Sequence, residues 1–174
     1  MKKTIIFTLL GFAIGLAVWG YIVIQRTLWI RSWHRAASPM SGCMANISGL
    51  GKSMLIYGHE NDGKYPTVSK WCDLLVEHGD AYGKTFVCKG ARKKGEEGRC
   101  HYAINPNCEP NSPKDVVLLF ETKGGWNQFG GAELLTTENH KGDGCNILFN
   151  DGRVEFIRPE EIGQLNWGER QGNR

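Results

Sequence analysis

The sequence predicts an α+β protein with an N-terminal transmembrane helix, a second helix that packs on the domain, and a small antiparallel β-sheet. Residues 4–24 carry no charge over 21 positions. Apolar side chains then recur at three- and four-residue spacing between Met44 and Leu55, the pattern of a helix with one buried face. Short strand-like runs follow, and the last two flank an Asp-Gly turn.

The first helix is long enough to cross a membrane. At about 1.5 Å per residue, residues 4–24 span roughly 30 Å, which is the thickness of the hydrocarbon core. A cleavable signal peptide is the alternative, because Lys2 and Lys3 precede the apolar run. The apolar region of such a peptide normally covers only about 7–15 residues, so we expect an uncleaved, single-pass anchor.

Four segments are expected along the chain. Residues 1–25 form the anchor, and residues 26–42 form a juxtamembrane helix or linker in which Trp29 and Trp33 lie among arginines, as at a membrane surface. Residues 43–165 form the globular domain, and residues 166–174 form a polar tail. Ser38-Pro39 marks either a helix break or a new helix start.

Five strand-like runs are predicted, at residues 85–88, 100–104, 116–120, 145–149 and 153–157. The run 116–120 is apolar throughout, so we expect it at the centre of the sheet. Asp151-Gly152 joins the last two runs, and its glycine supplies the positive φ of a tight turn. Val154 and Phe156 alternate with Arg153 and Glu155, which places the two pairs on opposite faces.

The charge balance argues against a nucleic-acid partner. The chain has 21 Lys and Arg against 18 Asp and Glu, whereas a nucleic-acid-binding domain needs a basic face. The densest basic run, Arg92-Lys93-Lys94, is followed directly by Glu96 and Glu97, which is typical of a solvated loop.

The cysteines favour an extracytoplasmic domain. An even number in one small domain is typical of an oxidising compartment, and arginines after the apolar run are the only feature that favours the opposite orientation. A zinc site needs close cysteine pairs, and here none lie nearer than eight positions. Buried thiols in a cytosolic domain remain the alternative. The six are Cys43, Cys72, Cys88, Cys100, Cys108 and Cys145.

A set of motifs extends from the packing helix to the hairpin. It comprises residues 43–51, Tyr57, Asn61, Asp62, Gly63, Lys64, Tyr65, Pro66, residues 86–88, His140, Asp151 and Gly152. These motifs resemble those of a bacterial prepilin-type family, which is marked near its C-terminus by a histidine, nine residues and Asp-Gly. The domain of that family is similar to the pseudopilins of type II secretion systems. The resemblance covers residues 43–157 and implies a pilin-like fold.

The sequence departs from the family pattern at two places. Ten residues, rather than nine, separate His140 from Asp151. The family's N-terminal processing signal ends in glutamate, and the matching segment here, residues 11–16, ends in Leu16. The resemblance therefore implies a retained pilin-like domain, but not processing or polymerisation.

The resemblance also bears on the disulfide bonds. Cys43 and Cys88 are the two cysteines that match the family, and their pairing would pin the packing helix to the sheet. Pairing of Cys88 with Cys100 is the competing choice, since it would close the short polar loop between them. At least one further bridge is expected among Cys72, Cys100, Cys108 and Cys145.

No catalytic motif is present, so we predict that the chain is not an enzyme. Its five histidines, His34, His59, His78, His101 and His140, lie in five different local contexts. His140 with Asp151 is the one acid–base couple that the hairpin could assemble. We expect instead that His140 hydrogen-bonds the turn and fixes it, and that a deep pocket holding a histidine beside a carboxylate would indicate chemistry.

A calcium site is the alternative for the C-terminal loop. Oxygen ligands cluster there in a glycine-containing segment of the kind that hard cations use, and some pseudopilins bind calcium in such loops. The candidate ligands are Asp143, Asn146 and Asp151, with Glu138 and Asn139 nearby. Solvated loop residues explain the same pattern, so no cofactor is the primary expectation.

The sequence as a whole predicts a membrane-anchored, pseudopilin-like structural or assembly component of a type II secretion or type IV pilus-like system. Its expected partners are the membrane and other pilin-like or secretion-system subunits. The expected location is the bacterial inner membrane, with the globular domain in the periplasm. The competing function is an anchored metal- or ligand-binding module.

Overall fold

The computed structural model describes the backbone of residues 2–91 and 99–168, with side chains for residues 15–28, 41–91 and 99–168. The chain divides into two units, Met1–Ser38 and Pro39–Arg174. The second unit begins close to the predicted start of the globular domain at residue 43.

The described residues form two α-helices, α1 at Lys2–Glu60 and α2 at Trp71–His78. α1 is continuous through Ser38-Pro39, so the predicted break or restart is absent from its backbone. In the part of the chain that the structure describes, five short 3₁₀ helices join the remaining elements. They occupy Val68–Lys70, Gly83–Phe86, Ala132–Leu134, Glu138–His140 and Pro159–Gln164.

The transmembrane part of the predicted fold class is wrong. A spanning helix needs about 20 consecutive, predominantly apolar residues. Among the residues whose side chains the structure describes, 15–28, 41–91 and 99–168, no helix combines that length with sufficient apolarity.

The sheet has four antiparallel strands in the order β1-β2-β3-β4. Their bounds are Cys100–Ile104, Val117–Gly125, Cys145–Phe149 and Val154–Ile157. Residues 117–120 of the apolar run form the first half of β2, an interior strand, which confirms the predicted central position. The strand extends five residues further than predicted, through Glu121 to Gly125.

The predicted strand at residues 85–88 is wrong, because a 3₁₀ helix occupies Gly83–Phe86. Phe86 is fully buried, and its ring lies 5.9 Å from that of Trp71 and 5.1 Å from that of Trp126. The packing of the Phe86 side chain therefore determines the conformation of this segment and overrides the β propensity of its residues.

Each face of the sheet carries its own apolar cluster. One cluster joins the sheet to both α-helices, through Ile47, Leu50 and Met54 of α1 and Trp71 and Leu75 of α2. The other is covered by the segments that follow β2 and β4. Its members are Ala103, Val117, Phe120, Cys145, Ile147, Phe149 and Ile157, packed by Leu134, Leu135, Ile162, Leu165 and Trp167.

α1 approaches the sheet closely at Gly51. A Cβ atom at Gly51 would lie 3.0 Å from Cδ2 of Leu148 in β3, closer than normal van der Waals contact. The helix glycine, which weakens the helix by about 1 kcal/mol relative to alanine, thus allows the helix to sit directly on the strand.

The C-terminal hairpin is formed as predicted. Val154 pairs with Leu148 on the face toward α1, and Arg153 forms an exposed ion pair of 2.6 Å with Glu155. At the start of the polar tail, the backbone carbonyl of Asn166 accepts a hydrogen bond from the amide of Val117. Residues 169–174 lie outside the described residues.

Gly152 provides the first testable prediction. Its φ is +85°, and a Cβ atom there would meet nothing within 4 Å, so a substitution costs backbone strain alone. We expect Gly152→Val to lower the free energy of unfolding by about 1–3 kcal/mol. Denaturant unfolding measures this.

Gly163→Val is the matched control, because Gly163 also has open space around it and no positive φ. Equal destabilisation by the two substitutions would contradict the assignment of strain to the turn.

Candidate functional site

Four side chains from separate segments converge beneath α1. Cys43 comes from α1, Cys88 follows the 3₁₀ helix Gly83–Phe86, Glu121 lies in β2, and His140 ends the 3₁₀ helix Glu138–His140. Their ligand-capable atoms all lie within 4.8 Å of one another. We call these four residues the buried tetrad.

The strand register places Glu121 in the tetrad. Glu121 pairs with Tyr102 of β1, and the register between β2 and β3 brings it opposite Asn146. Side chains alternate along a strand, so Glu121 points to the same face as Leu119, the face that α1 covers. The sequence therefore puts a carboxylate in the helix–sheet interface.

The tetrad is closed to solvent. Cys43 and Glu121 are 0% exposed, Cys88 is 1% exposed and His140 is 7% exposed. The Phe156 ring packs edge-on against the His140 ring at 5.4 Å. Gly90 closes another side, where a Cβ atom would overlap the carbonyl oxygen of Asn139, so no larger residue fits.

Glu121 is satisfied by hydrogen bonds from His140 and Asn146. His140 Nε2 lies 3.1 Å from Oε1 and 3.0 Å from Oε2. Asn146 donates its backbone N–H to Oε2 at 3.1 Å and its side-chain amide to Oε1 at 2.9 Å. A buried carboxylate needs such donors, because an unpaired charge in a low-dielectric interior is costly.

The two sulfur atoms of the tetrad lie 2.6 Å apart. Cys88 Sγ is also 3.3 Å from Glu121 Oε1 and 3.7 Å from His140 Nε2. Cys43 Sγ accepts a hydrogen bond of 3.4 Å from the amide of Gly90. The predicted pair of Cys43 and Cys88 is therefore brought together by the fold.

When both cysteines of the tetrad are reduced, neighbouring side chains shift each other's pKa values. The Cys88 thiol holds the pKa of Cys43 at about 5, well below its usual value, while the Cys43 thiol and burial raise the pKa of Cys88. Burial alone would lower the pKa of His140, but hydrogen bonds to Cys43 and Glu121, with their charges, raise it to about 9.

This geometry does not suit nucleophilic catalysis. A catalytic cysteine and its orienting carboxylate engage different nitrogens of the histidine. Here Cys88 and Glu121 both face Nε2 of His140. Both cysteine side chains are also buried.

The predicted motif residues occupy different places. His140 does not bond the turn as expected but joins the tetrad, whereas Asp151 is exposed and pairs with Arg153. Tyr65 does reach the hairpin, since its hydroxyl donates to Asn150 Oδ1 at 2.7 Å. Asp62 and Gly63 form the positive-φ turn before it, and Pro66 is buried.

The expected calcium ligands are dispersed. Asn146 is buried and donates its amide to Glu121, whereas Asp143 and Asp151 are exposed. Among the described residues, the group of three or more Cys, His, Asp or Glu ligands that the fold assembles is the tetrad. Hard cations such as calcium prefer oxygen ligands, so sulfur and imidazole suit a softer ion such as Zn²⁺.

The other histidines lie elsewhere. His59 is exposed at the end of α1, His78 is exposed beside Glu77, and His101 is buried in β1. The side chain of His34 is outside the described residues. A cavity of about 280 Å³ lies between α1 and the hairpin turn and is lined by Tyr65, Asn150 and Asp151 rather than by a histidine.

Sequence reasoning missed Glu121. The predicted strand stopped at Phe120, although an acidic residue directly after five apolar residues was a usable signal, because alternation places it on the buried face of Leu119. Asn146 was selected, but as a calcium ligand rather than as a donor to a carboxylate.

Comparison of the chain with models of known protein families, with curated proteins and with solved structures found no match.

The raised pKa of His140 predicts a pH dependence of stability. Protonated His140 contributes stability in full below its ordinary pKa of about 6.5, and this is lost as pH rises through about 9. This loss alone is about 1–3 kcal/mol between these pH values. In the reduced chain the lowered pKa of Cys43 adds stability over the same range and offsets it, so we expect a nearly level free energy of unfolding in the reduced wild-type chain and a free energy that rises with pH in reduced His140→Gln. Denaturant titrations at several pH values measure both.

His59→Gln is the control, because it removes an exposed histidine and should keep the wild-type slope. An unchanged slope in His140→Gln would contradict the role given to the His140–Glu121 pair.

Proposed function

We propose that the chain is a pilin-like structural subunit, without catalytic activity, that assembles through the apolar part of α1. The observation that carries this proposal is the exposure of large apolar side chains within the unit Met1–Ser38. They include Leu16, Val18, Trp19, Tyr21, Ile22, Val23, Ile24 and Leu28, with exposed fractions between 39% and 66%. A helix that is apolar on all sides is normally buried against a partner.

The proposed occupant of this surface is the same helix of another pilin-like subunit, including a second copy of this chain. Residues 4–24 carry no charge, so nothing in the run opposes close packing with a second apolar helix. Gly11 and Gly15 are four positions apart, so they share one helix face. Small residues on one face let two helix backbones approach closely.

The architecture of the second unit supports the same function. The C-terminal part of α1 covers one face of an antiparallel sheet through Ile47, Leu50 and Met54. This arrangement is the one that the resemblance to the prepilin-type family implies. The buried tetrad and the dispersed histidines favour a structural role over catalysis.

We further propose that Cys43 and Cys88 form a disulfide in an oxidising, extracytoplasmic compartment. Their sulfur atoms are 2.6 Å apart, which is nearer to the bond length of about 2.05 Å than to the separation of about 3.7 Å across a zinc ion. Closing 45 residues contributes about 4 kcal/mol by the chain-entropy relation. The bond would fix α1 to the sheet domain.

A charged substitution in the apolar surface of α1 tests whether the chain assembles through it. We expect Ile22→Glu to abolish self-association of the full chain, because each interface would have to bury a carboxylate. Sedimentation velocity of detergent-free protein, across a range of concentrations, measures the association.

Val76→Glu is the matched control, since Val76 is a similarly exposed apolar residue on α2, at 48% against 50% for Ile22. A monomeric wild-type chain that binds lipid vesicles through residues 4–24 would contradict assembly through helix packing.

A metal-binding function is the second candidate, and the tetrad favours it in the reduced chain. The contacts of 3.0, 3.3 and 3.7 Å among Glu121, Cys88 and His140 are close to the ligand–ligand distances of about 3.3–3.8 Å around tetrahedral zinc. The two sulfur atoms would have to separate by about 1.1 Å. Asn146 would orient Glu121 from outside the ligand set.

Cobalt titration tests the second candidate. Under strict reduction we expect one Co²⁺ per chain, with thiolate-to-cobalt absorption that Cys88→Ser and His140→Gln abolish. Cys145→Ser is the control, because Cys145 lies in the other core cluster. Absence of the absorption in the reduced wild-type chain would eliminate this function.

A further inference from the structure

Cys72 and Cys100 are both fully buried in the same core cluster, and burial together with the nearby Cys72 thiol raises the pKa of Cys100. Two backbone contacts place them together. The amide of Cys72 donates to Asn127 Oδ1 at 2.8 Å, and Cys100 pairs with Gly125, two residues before Asn127. The start of α2 and the start of β1 therefore meet at the same end of β2.

The remaining contacts separate the six cysteines. Cys88 lies against Cys43, which disfavours a bridge between Cys88 and Cys100. Cys72 is then the partner available to Cys100. Cys43, Cys72, Cys88 and Cys100 all belong to the core cluster that the helices cover.

Cys108 and Cys145 cannot reach each other. Cys108 Sγ contacts Asn150 Oδ1 at 3.4 Å, just beyond the C-terminal end of β3. Cys145 begins β3, roughly 17 Å from Asn150 at about 3.4 Å per residue, and it faces the opposite cluster. A disulfide requires Cα atoms within about 7 Å.

We propose that Cys72 and Cys100 form a second disulfide bond and that Cys108 and Cys145 remain thiols. The two thiols give up two electrons and two protons to an external disulfide, which leaves as two thiols, while one S–S bond forms between Cys72 and Cys100. The bond ties α2 to β1, an edge strand of the sheet. It does not depend on the assembly proposed above.

Peptide mapping of the full chain, purified without reductant, tests the inference. Alkylation with N-ethylmaleimide in denaturant should add two groups before reduction and six after it. Trypsin releases Cys72 in residues 71–84, Cys88 in residues 85–89, and Cys100 with Cys108 in residues 100–114. We expect 71–84 linked to 100–114, with the N-ethylmaleimide group on Cys108.

Two variants check the assignment. Cys72→Ser should free Cys100 and raise the number of groups before reduction from two to three. Cys145→Ser should lower it to one and leave the linked peptide intact. Alkylated Cys72 before reduction in the wild-type chain, or a link between 71–84 and 85–89, would overturn the proposal. The link between residues 36–52 and 85–89 reports the Cys43–Cys88 bond separately in the same digest.

Discussion

The carboxylate of Glu121, fully buried beneath α1, is the constraint on which the second unit depends. A charge in that position requires donors, and they come from His140 and Asn146. These residues are six positions apart and reach one carboxylate because the backbone reverses between them. Lys141, Gly142 and Gly144 have φ values of +62°, +91° and +150°. The tight loop before β3 is therefore a consequence of satisfying Glu121.

The helix that covers Glu121 completes its environment. α1 brings Cys43 over the carboxylate, and the hydroxyl of Tyr102 donates to the carbonyl oxygen of Cys43 at 3.4 Å. Asn46, one turn further along, donates to the carbonyl of Val87 at 2.8 Å and so holds the segment that carries Cys88. Helix, sheet and connecting loop thus meet around one polar cluster within an apolar interface.

Sequence reasoning predicted the parts of this fold that depend on local pattern. The strand-like run at 100–104, the apolar run at 116–120 and the Asp-Gly turn each specify a strand or hairpin without help from distant residues. Local pattern failed at residues 85–88, because the position of Phe86 depends on Trp71 and Trp126, which are distant in sequence. It failed in the same way for the tetrad, since no two of its residues are closer than 19 positions.

The argument against zinc, which used only the spacing of the cysteines, is limited in the same way. The absence of close cysteine pairs argues against a local zinc motif, but ligands from four separate segments can meet through the fold. Glu121 adds a carboxylate that no cysteine spacing could reveal. Spacing rules therefore describe sites built within one loop, and a site at a helix–sheet interface needs the strand register.

A buried ion pair adds little net stability, because removing two charges from water costs about as much as their attraction returns. The main effect of the Glu121–His140 pair is therefore on the position that α1 takes on the sheet. An apolar helix can slide or rotate on an apolar sheet with small changes in buried area. A rotation by one residue would move Cys43 about 100° away from Glu121 and would break its contact with the amide of Gly90. The polar cluster thus selects one position of the helix, and a bond between Cys43 and Cys88 can form only in that position.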